Sequence, residues 1–310
     1  MNNYFILAVS VFFDLLACGI LRNSFCKNRV KSNSDLHVFN ILSSVVTLAV
    51  MFIAYAIAGM LCVPSFFTVG IGLIYGVATA LCAIFNMKAL ECGPLSYTKV
   101  IICCAMVIPA LSGTVFFNET IGFVQYIGIA LMLLSFILAV EKDKDGGKAN
   151  IKWFVYSVLA FLFNGSLGVF QKLHQTSEYK DEIGMYQLAA FTVSALLSLV
   201  LLLIYRKKET IGVTLFERGK ILSFLIITLV CGCGIAFCNH FNMYLSGVMP
   251  AIVVFPVLNG GTMILTTASG LIIWKERLSP KQIVGLAAGI LAILLLCFAE
   301  PIQQLFLEQK

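Results

Sequence analysis

Long apolar runs separated by short polar breaks dominate this chain. Crossing a hydrocarbon layer about 30 Å thick takes roughly 20 apolar residues in a helix. Ten runs of that order follow one another, at residues 4–21, 36–58, 63–85, 96–117, 121–140, 151–171, 184–205, 221–244, 248–274 and 279–299. Transmembrane barrel strands read as segments of about ten residues alternating in polarity, and these runs are continuous. The pattern predicts an all-α integral membrane protein with ten transmembrane helices.

The breaks organise the runs into two sets of five. A charged stretch, Glu141-Lys-Asp-Lys-Asp-Gly-Gly-Lys148, falls midway. It divides the chain into a first five-helix repeat at 1–140, a linker at 141–150, a second repeat at 151–300 and a short tail at 301–310. The halves share residues in register. Phe85-Asn-Met and Phe241-Asn-Met are each followed by proline at the same distance (Pro94, Pro250), and Gly76, Ala80 and Cys82 match Gly232, Ala236 and Cys238. After a one-residue shift, Ser112-Gly113, Glu119, Gln125 and Gly128 match Ser269-Gly270, Glu276, Gln282 and Gly285. Phe13-Asp14 followed by Arg22 mirrors Phe163-Asn164 followed by Lys172. A unit with an odd number of spans inserts its second copy upside down, so the expected architecture is a pair of inverted-topology five-helix repeats, which suits alternating access.

Composition agrees. Of 310 residues, 60% are hydrophobic and 12% charged, against about 25% charged in a soluble domain, and the mean hydropathy is +0.98. The net charge of +6 is carried by the breaks and therefore reads as topology, not as a nucleic-acid surface. Eighteen Lys and Arg residues fall in the odd-numbered breaks. Three, Lys172, Lys180 and Lys310, fall in the even breaks and tails. Cytoplasmic loops are enriched in these residues, which places odd breaks inside and both termini outside. The first run has no basic leader and carries Asp14, so it is expected to stay as a span and not to be cleaved as a signal. The eleven cysteines are scattered through apolar runs without metal-ligand spacing and read as small hydrophobic side chains. No cofactor is expected.

Candidate chemistry is sparse. Asp14 is the acidic residue placed near the middle of a span, where a carboxylate is expensive and marks ion or substrate pathways. Asn164 takes the matching place in the second half, either touching solute or making an interhelical hydrogen bond. Asn86, Lys88, Asn239, His240, Asn242 and Tyr244 form the densest polar group in the runs. Lys88 and Lys99 either face solute or snorkel to the interface, and His240 is either a satisfied polar group or a proton relay. Asn259-Gly260-Gly261, three residues after Pro256, is expected to unwind the ninth helix locally and line a cavity. Glu119 and Glu276 are expected to serve helix N-termini, with a capping box at Ser279-Pro-Lys-Gln282 and a similar role for Gln125 after Gly122. Gly72-x3-Gly76 and Gly285-x3-Gly289 suit close helix approach, which leaves monomer and homodimer both open.

The paired segments Gly93-Pro-Leu-Ser-Tyr-Thr98, Asn118-Glu-Thr-Ile121 with Gln125-x-x-Gly128, and Met249-Pro250 to Trp274-Lys-Glu-Arg-Leu-Ser-Pro280 with Gln282-x-x-Gly285 resemble the drug/metabolite transporter superfamily in its ten-helix EamA-type form. The resemblance implies a secondary carrier with a central cavity lined mainly by helices one, three, four, six, eight and nine. Many members have cytoplasmic termini, opposite to the charge count. Asp14 also looks like the first-helix carboxylate of the four-helix small multidrug resistance proteins, which alternates between protons and cationic substrate.

The expected function is secondary active transport of a small organic solute (metabolite, amino acid or drug-like compound) across the plasma membrane, with protons as a coupling partner through Asp14. A non-transporting scaffold or receptor on the same fold is the alternative. An enzyme is not expected, because the three histidines lie on widely separated segments and no nucleophile or metal motif is present.

Overall fold

The computed structural model describes residues 3–16, 33–93, 95–139, 151–205, 221–273 and 279–299. Among these there is no strand, and each apolar run carries a helix: α1 (Asn3–Asp14), α2 (Asn33–Ile57), α3 (Phe66–Cys92), α4 (Leu95–Cys103), α5 (Val107–Phe116), α6 (Phe123–Ala139), α7 (Ile151–Gln175), α8 (Ile183–Tyr205), α9 (Ile221–Val248), α10 (Ala251–Ile273) and α11 (Pro280–Cys297). Seven of them, α2, α3 and α7 to α11, are long and apolar enough to cross a membrane. The chain is an all-α, multi-pass membrane protein by this measure. Helices satisfy every backbone group within the segment, which lipid demands.

Apolar bulk lies on the outside as well as inside. Large side chains such as Ile57, Phe66, Phe123 and Ile272 are exposed, while Ala105, Ala110, Ala160, Ala251 and Ala292 are fully buried. Lipid tails are as apolar as leucine, so bulk can stay outside, and small residues inside let backbones approach beside fully buried large ones such as Phe136, Tyr186 and Ile252.

By packing the chain forms two compact units, one of Met1–Leu7, Leu81–Thr176 and Leu245–Lys310 and the other of Ala8–Ala80 and Ser177–Tyr244. Each draws on both halves of the sequence. In the first, α6 lies along α11, α5 against α10, and α7 against α4 and α5. Ser135 Oγ donates to Gly285 O at 2.7 Å, and a Cβ on Gly289 would meet that hydroxyl at 2.6 Å. In the second, α2 packs on α8, and Thr47 of α2 donates to Gly232 O of α9 at 3.0 Å. Gly72 and Gly76 of α3 meet the backbone of α8 at Tyr186 and Ala190. The glycine spacings therefore serve internal packing. Three of these contacts, α2 with α8, α5 with α10 and α6 with α11, join runs five places apart in the chain.

Prolines mark the irregularities. A 3-10 turn, Cys104–Met106, separates α4 from α5. Pro109, near the start of α5, has no N–H for the fourth carbonyl back, that of Ala105, and its ring crowds it. The turn just upstream accommodates both effects. Pro256 behaves differently. The unwinding expected at Asn259-Gly260-Gly261 does not occur, because α10 is continuous through it. Asn259 Nδ2 donates to Phe255 O at 2.9 Å along the same helix, and the glycine at 260 makes room for Met132, whose Cε and Sδ would overlap a Cβ there.

The cap expected on the last helix is present. Ser279 Oγ accepts from Gln282 N and Gln282 Oε1 accepts from Ser279 N, with Pro280 at the first helical position. Replacing Ser279 with Ala should cost about 1 kcal/mol, measurable as a lowered unfolding midpoint in detergent. Gln125 completes half of the same device on Gly122, whose N–H donates to Oε1 at 2.8 Å.

Lys172 requires a correction. Counted among the break residues from sequence, it lies in the last turn of α7 and is 5% exposed. Lys88, Lys99, Lys152 and Lys281 likewise sit within helices. Glu276 lies outside the described residues.

Candidate functional site

In the second unit α9 makes polar contacts on two faces, one with α1 and the other with α2 and, through Tyr55, α8. Ser10 Oγ donates to Asn242 Oδ1 at 2.6 Å, Cys238 Sγ lies 3.6 Å from Ser10 O, and Phe13 stacks on Phe237 with centroids 5.7 Å apart. Residue numbers rise along α1 as they fall along α9, so these helices run in opposite senses. Asp14 follows Phe13 as the last residue of α1, is half-buried, and is succeeded by a π-type turn at 15–16. Such turns recur at functional sites because they re-aim the adjacent side chains.

On the other face of α9, Tyr55 of α2 reaches two partners. Its hydroxyl donates to Gln187 Oε1 of α8 and lies 3.0 Å from His240 Nδ1 of α9. The Tyr55 and His240 rings pack at 5.6 Å, and His240 meets Phe241 edge-on at 6.0 Å. Tyr55 and Gln187 are 4% and 2% exposed, whereas His240 is half-buried. A fully buried pair thus presents an imidazole with access to its surroundings.

The remaining expected site residues distribute as follows. Asn242 faces α1 through Ser10. Tyr244 is 37% exposed, and Asn239 turns back onto its own helix at Ile235 O. In the first unit, Asn164 Nδ2 donates to Ile102 O at 3.2 Å, next to the 3-10 turn, which is the interhelical hydrogen bond the sequence left open. Lys88 Nζ sits 5.5 Å above the Tyr156 ring, within cation–π range, and Phe85 stacks on both Tyr156 and Phe163. Asn86 is half-buried and Asn259 is exposed on α10. The side chain of Lys99 lies outside the described residues.

Sequence reasoning missed a second polar centre, in the first unit. Lys172 Nζ pairs with Glu119 Oε1 at 2.6 Å, at 6% and 16% side-chain exposure, and donates to Met249 O at 3.1 Å. Glu119 Oε2 accepts from Ala251 N at 2.8 Å. Glu119 does serve a helix N-terminus, but that of α10, not the helix following it in sequence. The carboxylate satisfies an orphan N–H and the helix dipole, and the ammonium compensates the charge. One knot therefore ties the end of α7, the break after α5 and the break before α10. Opposite charges at the ends of apolar runs were the available signal. Among the described residues, no group of His, Cys, Asp and Glu is arranged to hold a metal.

No protein-family model and no curated protein matches the chain. Solved structures do match in fold. A structure described only as the crystal structure of a protein superposes over 95% of this chain and 96% of its own, with a TM-score of 0.70 at 14% identity. That likeness speaks for the fold alone.

Proposed function

We propose that this protein is a secondary active transporter of the plasma membrane, moving a small organic solute by alternating access, with Asp14 as the proton-coupling carboxylate. The observation that carries the reading is the set of polar groups that α1, α2, α8 and α9 place around α9. Asp14, Ser10, Tyr55, Gln187, His240 and Asn242 are spent there among apolar helices, where each unsatisfied polar group costs several kcal/mol and where such residues mark solute and proton paths. The five-apart pairings of α2 with α8, α5 with α10 and α6 with α11 support two inverted repeats of five spans, since a twofold axis in the membrane plane brings equivalent helices face to face. The resemblance of the paired motifs to the ten-helix EamA-type drug/metabolite transporters points the same way.

Proteoliposomes loaded with a pH-sensitive dye test this directly. A panel of amino acids, amines and organic acids is added outside, and solute entry and internal pH are followed together. At least one solute should enter and move the internal pH with the wild-type chain, and Asp14→Asn should slow the coupled proton movement at least tenfold. Solute entry with unchanged proton movement in Asp14→Asn would remove the coupling role. Absence of protein-dependent entry for every class would remove the carrier reading and favour a scaffold.

A further inference from the structure

The hydrogen-bond chain at Tyr55 assigns a proton. A tyrosine hydroxyl has one hydrogen to give, and an amide oxygen can only accept. With Gln187 Oε1 as the acceptor, the Tyr55 hydrogen is committed, so the 3.0 Å contact to His240 Nδ1 must be made by a hydrogen on the imidazole. A neutral ring then carries its proton on Nδ1 and a bare lone pair on Nε2. Among the described residues, Nε2 has no hydrogen-bond partner. Buried Tyr55 and Gln187, held by α2 and α8, are thus an orienting pair for a half-buried base on α9.

We infer that Tyr55 and Gln187 are positioning residues that hold His240 in the Nδ1–H tautomer, so that Nε2 accepts a hydrogen bond from an N–H or O–H group of the transported solute. The solute part rests on the carrier reading, whereas the tautomer does not. The groups facing the imidazole are Tyr55 from α2, Gln187 through that tyrosine from α8, and Phe241 from its own helix. None of them is an acid. A group that can only accept, such as a carboxylate, finds no partner at a bare Nε2, whereas an ammonium or a neutral amide does. The imidazole therefore selects for donors.

Nitrogen NMR of the full-length protein in lipid, labelled with ¹⁵N-histidine, reads the tautomer without any transport assay. His240 is assigned by the signals lost in His240→Gln. At pH 8 the wild-type His240 should show a protonated, pyrrole-type Nδ1 and an unprotonated, pyridine-type Nε2. Gln187→Leu frees the tyrosine hydrogen to turn toward Nδ1 and should move the proton to Nε2. The wild-type spectrum alone decides the first part, since a protonated Nε2 would mean the chain runs the other way, from amide to tyrosine to imidazole, and would overturn the assignment. An unchanged tautomer in a folded Gln187→Leu would overturn the positioning role. In the wild type, n-butylammonium should shift the Nε2 resonance and butyrate at equal ionic strength should not. Any other pattern overturns the donor preference while leaving the carrier reading to the liposome experiment.

Discussion

Replacing Lys172 with Met should destabilise the folded protein by about 3–5 kcal/mol, the usual cost of removing one partner from a buried ion pair. The ammonium lies 2.6 Å from Glu119 and also donates to Met249 O. Its loss leaves a carboxylate at 16% exposure with the Ala251 N–H as its recorded partner. Glu119→Gln should be milder, because the amide oxygen can still accept from Ala251, though the lysine is then uncompensated. The double substitution Glu119→Gln, Lys172→Met removes both charges and should recover much of the loss. Cys231 and Cys238 are 0% and 3% exposed whereas Cys62 is exposed, so thermal unfolding of the purified protein can be followed by a thiol-reactive dye in a Cys62→Ser background. If the two single effects simply add in the double variant, the pair does not interact as described.

Gly76→Leu should break the seam between α3 and α8. A Cβ at 76 would stand 2.7 Å from Val193 Cβ and still closer to the Ala190 carbonyl, and at Gly72 it would stand 2.8 Å from the Tyr186 carbonyl. Backbone cannot rotate aside as a side chain can, so the helices must separate. Overpacking of this kind costs about 1–3 kcal/mol or more. Gly70 lies on the same helix with nothing within 4 Å of a built Cβ, and Gly70→Leu should stay within about 0.5 kcal/mol of wild type. Parallel unfolding curves of the two variants check the contrast. Equal losses at 70 and 76 would mean that the close approach to α8 does not set the effect, since the added helix propensity of leucine acts in the stabilising direction at both positions.

The helices were legible because lipid removes the alternatives. The expected run 36–58 became α2 at Asn33–Ile57, and 184–205 became α8 at Ile183–Tyr205. The Ser279 cap was legible for a related reason, since its partners lie three residues apart. The polar centres were visible only in part. Asp14, His240 and Asn242 stood out as isolated polar residues in apolar runs. Tyr55 and Gln187 did not, because their partnership spans 132 residues of sequence and that with His240 spans 185. Lys172 was placed in a break because a lysine at the end of a run ordinarily faces water. The unwinding expected after Pro256 did not occur, since α10 runs unbroken from Ala251 to Ile273 although Pro256 has no N–H for the carbonyl four residues back.

By itself the sequence determined the solvent this chain is made for and which segments are helical, although run 63–85 became α3 at Phe66–Cys92 and run 96–117 became two helices. Both are sums of local terms, the transfer energy of some twenty neighbouring side chains and the caps beside them. Tertiary structure alone decided which polar atoms meet: Tyr55 between Gln187 and His240, and Lys172 on Glu119. Those meetings depend on interhelical distances set by residues such as Gly72 and Gly76. A hydrogen bond is made or lost over a fraction of an ångström, which apolar patterning along one helix does not encode.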